Sequence, residues 1–247
     1  YAEKPHPFYE LYVCNDIKYH KYHLTGVRDT KPEITISDAT VEKLEAESKY
    51  IIIEGIGGIG KSMFLTHLFL SSAQNSTYSS VVPLFLSLKD YKDTTDNVVD
   101  FIWKSICEYD SKISKKDIIE ALQNKELILL LDGFDEIQTS VRESFQSDLE
   151  AFIKSYNGNT IIMTSRPIYD SFVSFSKFSV FDIKPLTKKQ ALALIDKLEF
   201  WDEIAKKSFM EALDTTLYYS HLQFASNPLM LTIMLMTYSS FGDVPAQ

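Results

Sequence analysis

Short apolar runs recur along the chain, separated by stretches whose hydrophobic positions repeat at helical spacing. Tyr50-Ile-Ile-Ile53 is the pattern of a strand buried on both faces of a parallel sheet. Val81 to Leu88 reads as a second strand, with Pro83 marking its start or an edge position. Glu126 to Leu131 is the most hydrophobic run, which places it at the sheet's centre. Thr160 to Thr164 and Ser179 to Ile183 read as a fourth and a fifth strand. Between them lie helices: Lys61 to Ser72, then one capped by Asp96 and running to Tyr109, with Val98, Phe101, Ile102 and Ile106 on one face. Ser114 to Asn124 and Val141 to Tyr156 follow, the latter with Phe145, Leu149, Phe152 and Ile153 in register. This alternation predicts an α/β fold, a parallel sheet with helices on both faces.

Beyond Pro185 only the helical period remains. Thr187-Lys-Lys-Gln190 is a capping box that opens a helix to Leu198. Trp201 to Leu213 and Leu217 to Phe224 read as further helices. Asn227-Pro228 opens the last one, through Ser239, with proline in its first turn. Its apolar run of Leu229, Leu231, Ile233, Met234 and Leu235 is expected to be core. Residues 1–47 are polar and Tyr-rich, broken by Pro5, Pro7 and Pro32. They suggest a short strand at Glu33 to Ser37 and a helical turn or two at Val41 to Ser48. The expected organisation is a lead-in segment (1–47), an α/β core (48–184) and a helical subdomain (185–247).

At 247 residues, 45% hydrophobic and 24% charged, the chain has an ordinary globular composition. Its net charge of −9 argues against a broad electrostatic grip on nucleic acid as a direct ligand. Leu229 to Met236, the longest apolar stretch, is too short to span a bilayer, and no signal peptide is visible. Cys14 and Cys107 lack metal-ligand spacing and read as reduced thiols of a cytoplasmic protein. The chain begins at Tyr1 and stops at Gln247 without a terminal signature, so a piece of a longer protein is expected.

Four segments carry candidate chemistry. Gly55-Ile-Gly-Gly-Ile-Gly-Lys-Ser62 has the Gly-x4-Gly-Lys-Ser spacing of a phosphate-binding loop, set between a strand and a helix. Its glycines at 55, 57, 58 and 60 let successive N–H groups turn onto phosphate oxygens, and the following helix points its positive end at the same anion. Ile56, Ile59 and Met63 complete the stretch expected to wrap the ligand. Lys61 would reach the β- and γ-phosphates, and Ser62 would ligate Mg2+. Asp132-Gly-Phe-Asp-Glu136 ends the most hydrophobic strand in acid, the Walker B arrangement that holds metal beside phosphates. Asp132 takes that place, with Asp135 and Glu136 near enough to orient a water. Thr164-Ser-Arg-Pro167 ends the fourth strand with Arg166, a guanidinium for the γ-phosphate if this strand neighbours the first. Asn227-Pro-Leu-Met-Leu231 starts a helix whose proline would pack on a nucleobase.

Taken in order, these residues resemble the NACHT family within the STAND class of P-loop ATPases, over roughly residues 48–240. The most specific part is Asp132-Gly-Phe-Asp-Glu136, the family's own form of Walker B. The likeness is nearest to bacterial members, NLR-like proteins of antiviral defence. It implies a sheet order of 2-3-4-1-5, ADP or ATP with Mg2+ as ligands, and slow regulatory hydrolysis. It also implies self-association on activation, with sensor and effector domains outside this chain. Carried over by residue, Lys61 and Ser62 bind phosphate and metal, and Asp132 supports the metal. Asp135 or Glu136 is the acid-base, Arg166 the γ-phosphate sensor and Pro228 an adenine contact. Competing functions are an AAA-like motor, for which Arg142 is the one plausible arginine-finger donor, and a small-molecule kinase. Arg28, Arg142 and Arg166 are the only arginines, too few for a kinase lid. Two further segments are weaker in chemistry: Lys18 to His23 could be a nucleic-acid patch or a metal site but, lacking Cys or carboxylate support, reads as a solvated segment, and Phe8 to Tyr12 could line the base.

Overall fold

Strands form where short apolar runs can be buried on both faces of a sheet. β3 (Tyr50–Glu54), β5 (Leu127–Asp132) and β6 (Thr160–Ser165) are such runs; every residue of β6 is buried, as is all of β5 before Asp132. The computed structural model describes residues 7–20, 34–74, 81–92, 97–167 and 177–241. With β4 (Val82–Ser87) and β7 (Ser179–Ile183), these strands make a parallel sheet. β1 (Ile17–His20) and β2 (Ile34–Ile36) extend it, giving the order β2-β1-β7-β3-β6-β5-β4 among the described residues. The five parallel strands alone follow the 2-3-4-1-5 order that the family resemblance implies, with β6 between β3 and β5.

Two expectations change. The sheet has seven strands rather than five, because β1 pairs antiparallel with β7 through Ile17↔Ile183 and Tyr19↔Phe181. Four residues reading Ile-Lys-Tyr-His alternate too briefly to stand out in a polar segment. β5 is not central but second from the β4 edge. Its hydrophobicity reflects burial on both faces, a property of any covered strand, and carries no information about rank in the sheet. Of the predicted strand Glu33 to Ser37, Ile34–Ile36 forms β2, and Glu33 lies outside the described residues.

β5 shows how the layers divide. Leu129 and Leu131 face a cluster with Phe101, Ile102, Leu122, Phe145 and Leu149, from α4 (Val98–Cys107), α5 (Lys115–Asn124) and α6 (Thr139–Ser155). Ile128 and Leu130 face the opposite cluster with Val41, Leu44, Phe64 and Leu68, from α2 (Val41–Glu45) and α3 (Lys61–Gln74). α4 is capped by Asn97, whose side chain accepts from Asp100 N; the expected cap, Asp96, lies outside the described residues. Ser114 and Asp117 cap each other's backbone N–H at the start of α5.

The predicted capping box Thr187–Gln190 opens α7 (Lys188–Lys197), and Asp202 caps α8 (Glu203–Ala212). The expected helix 217–224 is broken: a π turn at Leu213–Leu217 leads to α9 (Tyr218–Ser220), and His221 leaves helical geometry before α10 (Leu222–Ala225). The last helix is α11 (Pro228–Phe241). Its run is only partly core: Leu231, Met234 and Leu235 are buried, whereas Leu229 and Ile233 are exposed. These helices form a third cluster built wholly from Leu186 onward. α1 (Phe8–Leu11) docks on α7 through Lys197, whose ammonium donates to Tyr9 O at 2.9 Å and Tyr12 O at 2.8 Å. Among the described residues no helix is long and apolar enough to cross a membrane.

Candidate functional site

The carboxyl ends of β3, β5 and β6, the start of α3 and the first turn of α11 surround one cleft of about 420 Å³, inside the range of about 300–1,000 Å³ usual for small-molecule sites. One wall is the glycine loop with Lys61, Ser62 and Met63. A second is Asp132, Gly133, Asp135 and Glu136, and Thr164 and Arg166 come from the end of β6. Leu194 of α7 and Pro228, Leu229 and Thr232 of α11 close the far side.

The glycine loop leaves β3 with its first amide still in the sheet, Gly55 N donating to Ser165 O at 3.2 Å. Gly57, Gly58, Gly60, Lys61, Ser62 and Met63 line the cleft; Gly55, Ile56 and Ile59 do not. Ile59 is buried in the cluster beneath the loop and fixes its underside. Ile56 is exposed, and its carbonyl, with that of Gly55, receives the Lys61 ammonium at 3.2 and 2.6 Å. Burial lowers the Lys61 pKa, and the Asp135 carboxylate opposes that shift. Gly58 has φ +75°, and a Cβ there would sit 2.8 Å from Leu229 Cβ, so both the conformation and the space require glycine.

Beyond β5 the chain turns on Gly133, at φ +81°, into a 3-10 turn over Phe134–Glu136. Thr164, fully buried, joins the two strand ends. Its hydroxyl donates to Asp132 Oδ1 at 2.6 Å and accepts from Gly133 N at 2.9 Å. Asp132 is thereby held in one orientation at the cleft. Asp135 is held by one residue on both oxygens: Arg166 N donates to Oδ1 at 2.9 Å, and Arg166 Nε lies 3.2 Å from Oδ2. Glu136 is exposed and lines the same wall.

Arg142, on α6, belongs to the support of this turn. Its Nη2 donates to Asp135 O at 3.0 Å and Ile137 O at 2.9 Å, and the guanidinium lies 5.7 Å from the Phe134 ring centroid. Its Nε is buried without a hydrogen-bond partner. The sequence offered Arg142 as an arginine finger for a neighbouring molecule; the geometry commits it to its own chain instead.

The donor set fits a nucleotide polyphosphate with Mg2+. Three acids, Asp132, Asp135 and Glu136, and two cations, Lys61 and Arg166, line the cleft beside the glycine loop and the N-terminus of α3. Among the described residues no cluster of three His, Cys, Asp or Glu could hold a metal by itself. Magnesium commonly takes only one or two protein oxygens and completes its shell with phosphates and water, and Ser62 and Asp132 would supply them.

The two remaining candidate segments lie elsewhere. Lys18, Tyr19 and His20 lie in β1, while residues 21–23 fall outside the described residues, as does Arg28. Phe8 to Tyr12 does not line the cleft. The Tyr12 ring is buried instead, stacking on Phe8 at 4.7 Å and on His67 of α3 at 5.1 Å. The apolar wall is Met63, Leu194, Pro228 and Leu229. Sequence reasoning did not single out Leu194, Thr232, the bridging role of Thr164 or the side chain of Asn227. Asn227 was legible as a helix cap, but its second bond reaches a residue 170 positions away.

A 2-3-4-1-5 parallel core with a Gly-x4-Gly-Lys-Ser loop after its first strand and an acid after its third defines a P-loop nucleoside triphosphatase. The NACHT domain model matches residues 49–199, and the chain belongs to the NACHT family. It is thus a nucleotide-binding ATPase module. Among solved structures, AMPPCP-bound DnaA from Aquifex aeolicus is similar at 17% identity and a TM-score of 0.45, over 81% of this chain and 59% of that one. The Walker-type ATPase of Pyrococcus abyssi is similar at 13% identity and a TM-score of 0.48, over 82% and 66%. Domain III of DnaA from Thermotoga maritima gives 16% and 0.46, over 83% and 82%. The chain therefore spans about three-fifths of the length of the Aquifex protein. Comparison with curated proteins gives no match.

Proposed function

We propose that this module is a nucleotide-dependent switch: it binds ADP or ATP with Mg2+ in the cleft, hydrolyses ATP slowly, and couples the bound nucleotide to self-association. The observation that carries the reading is the composition of the cleft. Leu194, Pro228, Leu229 and Thr232 belong to the helical subdomain, so one wall of the site is a separately packed body with its own core. A ligand that touches both bodies favours the arrangement in which both contacts are made.

In this reading the loop amides and Lys61 hold the phosphates, while Ser62 and Asp132 hold magnesium, which draws negative charge from the phosphate oxygens. Thr164 keeps Asp132 aimed. Glu136 orients or deprotonates the attacking water, because both Asp135 oxygens are engaged by Arg166. Arg166 in turn meets the γ-phosphate and passes its presence to Asp135. The adenine lies against Met63, Leu194 and Pro228. The family likeness is what supports extending this proposal to sensor and effector domains outside the chain, a cytoplasmic setting and a role in bacterial antiphage defence.

The decisive experiment compares wild type with Lys61→Ala. Wild-type protein should bind ADP and ATP and should carry nucleotide through purification, identified by mass spectrometry. The variant should do neither, and unchanged affinity would remove Lys61 and the cleft from the proposal.

A further inference from the structure

Asn227 is only 4% exposed and uses both ends of its amide. Oδ1 accepts from Leu229 N at 3.1 Å and Met230 N at 3.2 Å, capping the first turn of α11. Nδ2 donates to Gly57 O, in the phosphate loop, at 3.0 Å. Leu229 N also lies 3.3 Å from Gly58 O, and the Leu229 side chain leaves no room for a Cβ on Gly58. The helical subdomain and the loop are therefore joined through polar atoms as well as packing.

The consequence lies in one peptide plane. Gly57 C=O and Gly58 N–H belong to the same peptide unit, which is trans, so they point in opposite directions. Holding the carbonyl against Asn227 directs the Gly58 N–H the other way. With glycine on both sides this plane is free to flip, and a flip would aim a carbonyl where the loop should offer a donor. We propose that Asn227 is a positioning residue that fixes the Gly57–Gly58 peptide with its N–H toward the phosphates, and so ties loop polarity to the docked helical subdomain. The proposal rests on the cleft being a nucleotide site. By linkage, a nucleotide that favours this peptide orientation favours the docked subdomain to the same degree.

The test uses the full 247-residue chain with Asn227→Ser and Asn227→Ala. Serine keeps an oxygen to cap α11 but loses the amide donor; alanine loses both. Melting temperature should fall in Asn227→Ala and be largely restored in Asn227→Ser. ADP release should remain about five-fold faster than wild type in both, the factor that one neutral hydrogen bond is worth. Hydrogen exchange of residues 55–60 without nucleotide should be faster in both variants too. Wild-type release and exchange in Asn227→Ser would reduce Asn227 to a cap and overturn the proposal. If wild-type protein binds no ADP while Asn227→Ser still speeds exchange in the loop, the nucleotide reading fails and the positioning role stands. Unchanged exchange in that case overturns both.

Discussion

Asp135 and Glu136 are adjacent in the chain, yet their surroundings give them different tasks. Asp135 has both oxygens on Arg166, whereas Glu136 is exposed on the cleft wall. Glu136→Gln should therefore leave ADP affinity within two-fold and slow turnover about a hundred-fold or more, the usual contribution of a positioned base. Steady-state kinetics beside equilibrium binding checks this; equal turnover would move the role to Asp135. Glu54 makes a second prediction. It ends β3 beside Asp182 of β7, and burial, with the Asp182 charge adding to it, raises its pKa from 4.5 to about 7. The folded chain then holds more protons than the unfolded one between those values, so this group's contribution to stability declines as pH rises across that window. Glu54→Gln should remove the decline. The variant's melting temperature should exceed wild type at pH 8 and match it near pH 4.5. The carboxyl is only half-buried, so solvent screening leaves a difference of about 1–2 kcal/mol.

Elements were legible where the determinants are local. β5 announces itself in Leu127 to Leu131, α5 in its Ser114–Asp117 box, and the phosphate loop in eight consecutive residues. Ser114→Ala should lower stability by about 1 kcal/mol, a shift of about 2–4 °C in a domain of this size, readable by calorimetry. β1 was illegible because its strand character depends on β7, and the break at His221 because helical spacing continues through it. The site divides the same way. Lys61, Asp132 and Arg166 sit in short contiguous motifs. Thr164's grip on Asp132 and Arg142's grip on the turn carbonyls are contacts between separate elements, which no spacing rule encodes. Gly58→Ala tests one such contact. Its Cβ would strike Leu229 at φ +75°, so the variant should lose ADP affinity as well as stability, by titration and melting.

For the molecule as a whole, three clusters share the load: one on each face of the sheet and one in the helical subdomain. The cleft lies at the seam between the last of these and the sheet. A ligand across that seam should stabilise the entire chain. At a hundred-fold excess over Kd, ADP with Mg2+ should add about 2.7 kcal/mol, and Lys61→Ala should abolish the shift in melting temperature.

The antiparallel pair β1–β7 has a consequence for synthesis. Tyr19 meets Ser179 across 160 residues, so β1 leaves the ribosome long before its partner exists. At translation speeds of about 5–20 residues per second the wait is roughly 10–30 s. Through that interval Ile17 and Tyr19, buried in the finished sheet, have no β7 to cover them. The β1–β7 pairing can therefore form only after the strands β3 to β6 have been made.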